Sequence, residues 1–184
     1  MIELALSNGH PVQFKTAPFK KFKGVRLADA SLFHSSGPEW EIFMQEYAQS
    51  KFGLSLRYFS CDTEQHFIVR ESSLYIRIEA IIQGELSYTD HKGNSFKLKT
   101  GQYRIADGQA YNATISGEHA LIYLAIFLSP VLIGENLIPE NIKAGPVLMM
   151  TPEMHRIIQR VTDNIYEEKL RDAFYDHTIG EILF

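Results

Sequence analysis

Cysteine is nearly missing from this 184-residue sequence: Cys61 is its one thiol, so no intrachain disulfide can form and nothing points to an oxidising compartment. Nor does Cys61 read as reactive, because the neighbouring Asp62 and Glu64 raise a thiol pKa rather than lower it. Long hydrophobic runs are missing as well. The longest, Ala120 to Leu128, is too short to span a bilayer as a helix, and Met1 to Pro11 has neither a basic leader nor an apolar run. A cytoplasmic chain with no membrane partner is expected. Positive charge is in deficit: a formal net charge of -4 argues against nucleic-acid binding by this segment alone, which would need Lys and Arg to displace counterions. Its one basic cluster, Lys20, Lys21, Lys23 and Arg26 interleaved with Phe19 and Phe22, reads as a solvated strand or loop, with a phosphate-contacting arm as the alternative. No internal repeat, G-x-S-x-G elbow, P-loop or Gly-rich dinucleotide fingerprint occurs, so the usual signatures of catalysis are lacking.

What is present is an ordinary globular composition, 45% hydrophobic and 22% charged, at a length that suits one domain with appendages. From Leu54 to Ser129 short apolar runs succeed one another, broken by polar or Gly-containing turns. Leu54 to Ser60 and His66 to Arg70 read as a strand pair, and Leu74 to Gln83 as a long strand rich in β-branched residues. Gly84 marks a bulge or bend before Glu85 to Thr89, and His91-Lys92-Gly93-Asn94 turns the chain into Ser95 to Leu98. Gln102 to Ala106, Tyr111 to Ile115 and Ala120 to Leu128 complete about eight strands, a number and spacing that favour a closed barrel or jelly roll, because closure removes unpaired edges.

Two helical regions flank this β unit. Trp40, Phe43, Met44, Tyr47 and Ala48 recur at helical spacing between Pro38 and Gly53 and predict one short amphipathic helix. After Pro130 and an irregular connection, Thr151-Pro152 starts a helix whose apolar face is Met154, Ile157, Ile158, Val161 and Ile165. A second helix is expected from about Asp172, with Tyr175, Ile179, Ile182 and Leu183 on one side, the two being joined near Lys169 to Asp172. The sequence thus divides into residues 1–53, an N-terminal extension with short strands and one helix; 54–130, the barrel; and 131–184, a linker and helical hairpin. Its apolar stripes need a covering surface, and Met154, Ile157, Ile158, Val161 and Ile165 are the candidate homodimer interface. The apolar end at Ile182-Leu183-Phe184 also reads as part of something longer.

The strand Leu74 to Gln83 has two informative faces. Leu74, Ile76, Ile78 and Ala80 share one; Tyr75, Arg77 and Glu79 share the other. If that second face lines the barrel, a cation and an anion stand there beside aromatic rings, a setting for a small polar ligand. If it faces solvent, Arg77 and Glu79 are a surface pair of little energetic worth. Tyr103, Tyr111 and Tyr123, each on a strand, are further ligand candidates, with plain amphipathic packing as the other reading.

The succession Ile82-Gln83-Gly84-Glu85-Leu86, Leu98 to Ile105, Tyr123 to Ser129 and the closing Thr178-Ile179-Gly180-Glu181-Ile182-Leu183 resembles the N-terminal sensor domain of bacterial AraC-type transcription regulators, the variety with a cupin-like barrel. The likeness covers most of the chain from Leu54 onward. It implies a mainly β fold with C-terminal helices, a cytoplasmic module that binds a small-molecule effector and forms a homodimer, and DNA contact only through helix-turn-helix units outside this chain. Aligned on Gly84 and Gly101, the positions that hold the Glu and His ligands of metal-binding cupins fall at Arg77, near Glu71 and Ser73, and at Tyr111. No metal and no cofactor is therefore expected, since a guanidinium repels a divalent cation. The seven scattered His residues form no His-x-His or His-x-x-x-His pair. A non-enzymatic sensor leads. A metal-independent isomerase or lyase using Glu79 or a Tyr, and a filled barrel serving as an interaction domain, stand as alternatives.

Overall fold

The computed structural model describes residues 3–18, 20, 22–70, 76–107, 109–129, 145–163 and 168–183. Tyr75 and Ile165, named above as candidates, lie outside them. The fold is mainly β with C-terminal helices. Among the described residues thirteen antiparallel strands form two sheets. The smaller contains β1 (Glu3–Leu6), β6 (Gln65–Arg70), β11 (Tyr111–Ile115), β8 (Glu85–Asp90) and β9 (Ser95–Lys99), in that spatial order. The larger runs β13 (Leu148–Met149), β10 (Gln102–Asp107), β7 (Ile76–Gln83), β12 (Leu121–Leu128), β5 (Phe52–Cys61), β4 (Trp40–Ala48), β3 (Ser31–Ser36) and β2 (Lys15–Thr16).

The sheets face each other as a jelly-roll barrel. Between them lies an inner core to which both contribute: Phe67, Val69, Leu86, Leu98, Ala113 and Ile115 from the small sheet, Ile42, Met44, Phe59, Ile81 and Leu121 from the large one. The outer face of the large sheet carries a second apolar layer, Leu54, Leu56, Ile78, Ala80, Leu124, Ile126 and Leu128, and the helices α1 (Pro152–Asp163) and α2 (Glu168–Leu183) pack on it through Met154, Ile158, Val161, Phe174, Tyr175 and Ile179. β5, β7 and β12 are therefore buried on both faces, which is why they read as almost continuous apolar runs. The Thr151 hydroxyl caps α1 by accepting from the Met154 amide at 3.1 Å.

Four expectations need correction. The segment read as an amphipathic helix is β4, paired with β5 from Trp40↔Cys61 to Ala48↔Gly53, so residues 1–53 contribute strands to both sheets rather than a helix. Its apolar residues serve two cores, Ile42 and Met44 the inner one and Phe43 a small outer cluster with Phe22 and Leu32, and this erases the period of two. β5 and β6 are not partners: β5 pairs β4 and β12, and β6 pairs β1 and β11 in the opposite sheet. The second helix begins at Glu168, so the expected joint at Lys169 to Asp172 is helical. Finally, the part of the proposed homodimer stripe that lies among the described residues is already covered. Met154, Ile157, Ile158 and Val161 are at most 9% exposed within the single chain, and for Met154, Ile158 and Val161 the sheet's own outer face supplies the apolar surface they require.

Two local devices shape the barrel ends. Between β7 and β12 the register shifts at Ile122/Tyr123, and the chain then turns at Gly84, where φ is +85° and a Cβ would sit 2.6 Å from the Ala120 carbonyl oxygen. Only glycine meets both conditions. At the other end of β8 the Asp90 carboxylate accepts from the Lys92 and Asn94 amides, each at 2.9 Å, and closes the turn into β9.

Candidate functional site

Alternation along β7 sends Ile78 and Ala80 toward the helices and therefore Arg77 and Glu79 into the barrel, where they are 1% and 0% exposed. The inward reading of that strand holds. Strand pairing then places their neighbours. On β10 Arg104 stands opposite Glu79 and Ala106 opposite Arg77; on β12 Ala125 and Phe127 take the same two rows. One strand further, Tyr123 pairs with Arg57 of β5. Among the described residues the two sheets thus enclose three guanidinium groups, Arg57, Arg77 and Arg104, with one carboxylate, Glu79.

Each cation is held by aromatic faces and neutral oxygens as much as by charge. Arg57 Nη1 donates to the Tyr123 hydroxyl at 2.9 Å and its Nε to Ser55 Oγ at 3.0 Å, with the guanidinium carbon 5.4 Å from the Tyr123 ring centre. Arg77 lies 4.7 Å over the Tyr111 ring, and its Nε is 3.1 Å from Glu79 Oε1. That ion pair lacks hydrogen-bond alignment, and neither Glu79 oxygen accepts a hydrogen bond among the described residues. Arg104 stacks 3.3 Å over the Phe96 ring, donates from Nε to the Gly145 carbonyl oxygen at 2.7 Å and from Nη1 to the Tyr88 hydroxyl, and reaches no carboxylate among the described residues. Tyr88 and Tyr111 also pack against each other, ring centres 5.0 Å apart.

Burial works to lower the Arg57 and Arg77 pKa values, but Tyr123, Tyr111 and Glu79 together more than offset it at each, so both end above the ordinary guanidinium value. The phenols of Tyr88 and Tyr111 are pushed up chiefly by desolvation, and both remain protonated donors at neutral pH. Desolvation, with Asp62 adding to it, also lifts the Cys61 thiol to about 11, which makes it inert at neutral pH.

Of the candidates drawn from the sequence, Arg77, Glu79, Tyr111 and Tyr123 meet in this interior. Tyr103 does not. It pairs with Ala80 on the outer face and packs against the helix-side core, because it has the opposite strand parity to Arg104. Arg57, Arg104 and Tyr88 were missed. Arg57 sits between Leu56 and Tyr58 in a strand apolar on both parities, and in such a strand a charged residue must point into the protein whichever way it faces; that was the available signal.

Arg77 and Tyr111, the two described positions that the cupin resemblance aligns with metal ligands, are in direct contact, and a guanidinium over a phenol ring is no donor set for a divalent cation. No group of three or more His, Cys, Asp or Glu that could hold a metal occurs among the described residues. A small pocket of about 10 Å³, room for one water, is lined by Arg77, Tyr88, Asp90, Arg104, Ala106, Gln109, Ala110 and Tyr111 and reaches the surface at Gln109 and Ala110, both exposed. A larger open concavity of about 760 Å³ lies at the Gly84 end, among Gln83, Glu85, Lys99, Thr100, Ser116, Glu118 and His119.

No family model matches the sequence, and no curated protein does. Solved structures do match. The AraC-like transcriptional activator CuxR superposes with a TM-score of 0.57 at 10% identity, over 86% of this chain and 59% of that one. The cupin domain of Schizosaccharomyces pombe Cnp3 gives 0.42 at 15% identity over 58% of this chain and 83% of that one; a predicted oxalate decarboxylase from Thermotoga maritima gives 0.43 at 15% identity over 58% and 98%. At these identities the likeness is one of fold, and this chain spans about three-fifths of the CuxR chain. The protein therefore has a cupin-like β-barrel followed by two C-terminal helices, the architecture shared with that AraC-like activator.

Proposed function

We propose that the chain is the effector-sensing part of a transcription regulator, its barrel binding a small polar organic molecule and its helices passing the bound state onward. One observation carries this reading: Arg57, Arg77, Arg104 and Glu79 are all within 3% of complete burial. An apolar filling of the same barrel would be as stable or more so, since desolvating charges costs several kcal/mol per ion. Charges kept inside at that cost mark a functional site, and the site's residues belong to the class that binds polar ligands directionally. The shared fold with CuxR supports a regulatory rather than catalytic setting. DNA contact, on this reading, falls to helix-turn-helix units outside these residues.

A second reading has its own support: the interior pocket beside Arg104, among the described residues, holds only about 10 Å³, which suits a filled barrel used as an interaction domain. Thermal-shift measurements on the purified chain separate the two. A panel of small sugars, polyols and organic acids at millimolar concentration is expected to raise Tm saturably for at least one class. Uniformly flat results across the panel would favour the filled barrel.

A further inference from the structure

The pocket beside Arg104 is built for charge of one sign. Arg77 and Arg104 line it, and its one carboxylate among the described residues, Asp90 at the rim, already accepts three hydrogen bonds from its own turn. Arg104 itself reaches no carboxylate among the described residues. Its Nε and Nη1 are engaged with neutral oxygens, its plane is fixed by the Phe96 ring, and Nη2 makes no hydrogen bond among the described residues. In the same wall the Tyr111 hydroxyl is fully buried and has no hydrogen-bond partner among the described residues. A buried phenol donor left unused is unfavourable, and an acceptor in the pocket would recover that loss. A charged acceptor would recover more, because hydrogen bonds to an ionised group are roughly twice as strong.

We propose that this pocket takes the carboxylate group of a small monoanionic organic acid, held by Arg104 and the Tyr111 hydroxyl with Arg77 behind, the remainder of the molecule lying toward Gln109 and Ala110. Space at this depth is about one water, so one carboxylate oxygen replaces that water and the body of the ligand stays near the mouth. The rim carboxylate of Asp90 opposes a dianion, which separates a carboxylic acid from inorganic phosphate. The assignment rests on the effector-binding reading above and narrows it to a chemical class.

The test is calorimetric titration of the full chain with acetate, propionate and pyruvate, each against its neutral amide, and with inorganic phosphate and glucose at matched ionic strength. Saturable binding of at least one carboxylate and none of the amides is expected. Arg104→Gln should weaken it more than about tenfold, and Tyr111→Phe, which removes only an unpartnered hydroxyl and so leaves the fold intact, by roughly tenfold. Equal binding of acid and amide, phosphate binding tighter than any carboxylate, or an undiminished Tyr111→Phe variant would overturn the assignment. Glucose binding without carboxylate binding would overturn it while leaving the sensor reading in place; no binding by any probe would remove both.

Discussion

Replacing Glu79 by Gln asks how strongly the barrel's interior charges depend on one another. Its carboxylate is completely buried and lies 3.1 Å from Arg77 Nε, with Arg104 directly across the β10–β7 ladder. At an effective dielectric of about 20, unit charges at that distance attract by about 5 kcal/mol. The substitution relieves the carboxylate's own desolvation but leaves the guanidinium groups buried and mutually repelling, so the net loss should match the roughly 3–5 kcal/mol seen when a buried pair is broken. Gln has nearly the same volume, so no cavity contributes. For a chain of this size each kcal/mol moves Tm by about 2–4 °C, giving a fall of roughly 6–20 °C. Urea denaturation followed by circular dichroism gives the free energy directly, and adding Arg77→Met to the Gln variant should recover part of the loss, because one of the buried cations is then gone as well. A loss under about 1 kcal/mol, the value of a solvated surface pair, would refute the claim that these charges are dry.

Three further outcomes are expected. Ile158→Ala, in the interface between α1 and the sheet, should cost about 2–5 kcal/mol in urea while leaving the molar mass by light scattering unchanged; altered assembly at constant stability would contradict the intramolecular packing. Gly84→Ala imposes a side chain at φ +85° against the Ala120 carbonyl and should destabilise by ~2 kcal/mol or more, readable as a lowered Tm; a neutral result would mean the turn is not held there. Cys61, lifted to about 11 from an ordinary 9.0, should resist iodoacetamide at pH 8, and because the folded thiol keeps its proton longer than the unfolded one, stability should fall as pH rises from 9 to 11. Rapid alkylation of folded protein at pH 8 would show the thiol to be accessible.

The strands from β5 to β12 are legible because Gly, Asn and Asp punctuate them and their parity is regular where one face is polar. Legibility fails where both faces are buried. In β4, Ile42 and Met44 face one core and Phe43 another, so the apolar positions fall by accident on a helical spacing. The same double burial hid Arg57, whose apolar neighbours on β5 pack on both sides. Arg77 and Glu79 were ambiguous for a different reason: a charged pair at i, i+2 looks identical whether it meets water or a second sheet, and only the strand order decides. Tyr103 and Arg104 are adjacent in sequence, and parity alone sends one to the helices and the other to the site. The tail helices were found through their stripes, but an apolar stripe says that a surface is needed without saying whose.

β7 is one residue thick, with Arg77 and Glu79 projecting from one side and Ile78 and Ala80 from the other. No spacer layer separates the polar interior from α1 and α2. Any rotation of that ribbon about its own axis, however small, moves a charged chamber and a greasy seat together in opposite directions, as a rocker does, so the shortest mechanical route from inside the barrel to the helices is a single peptide plane.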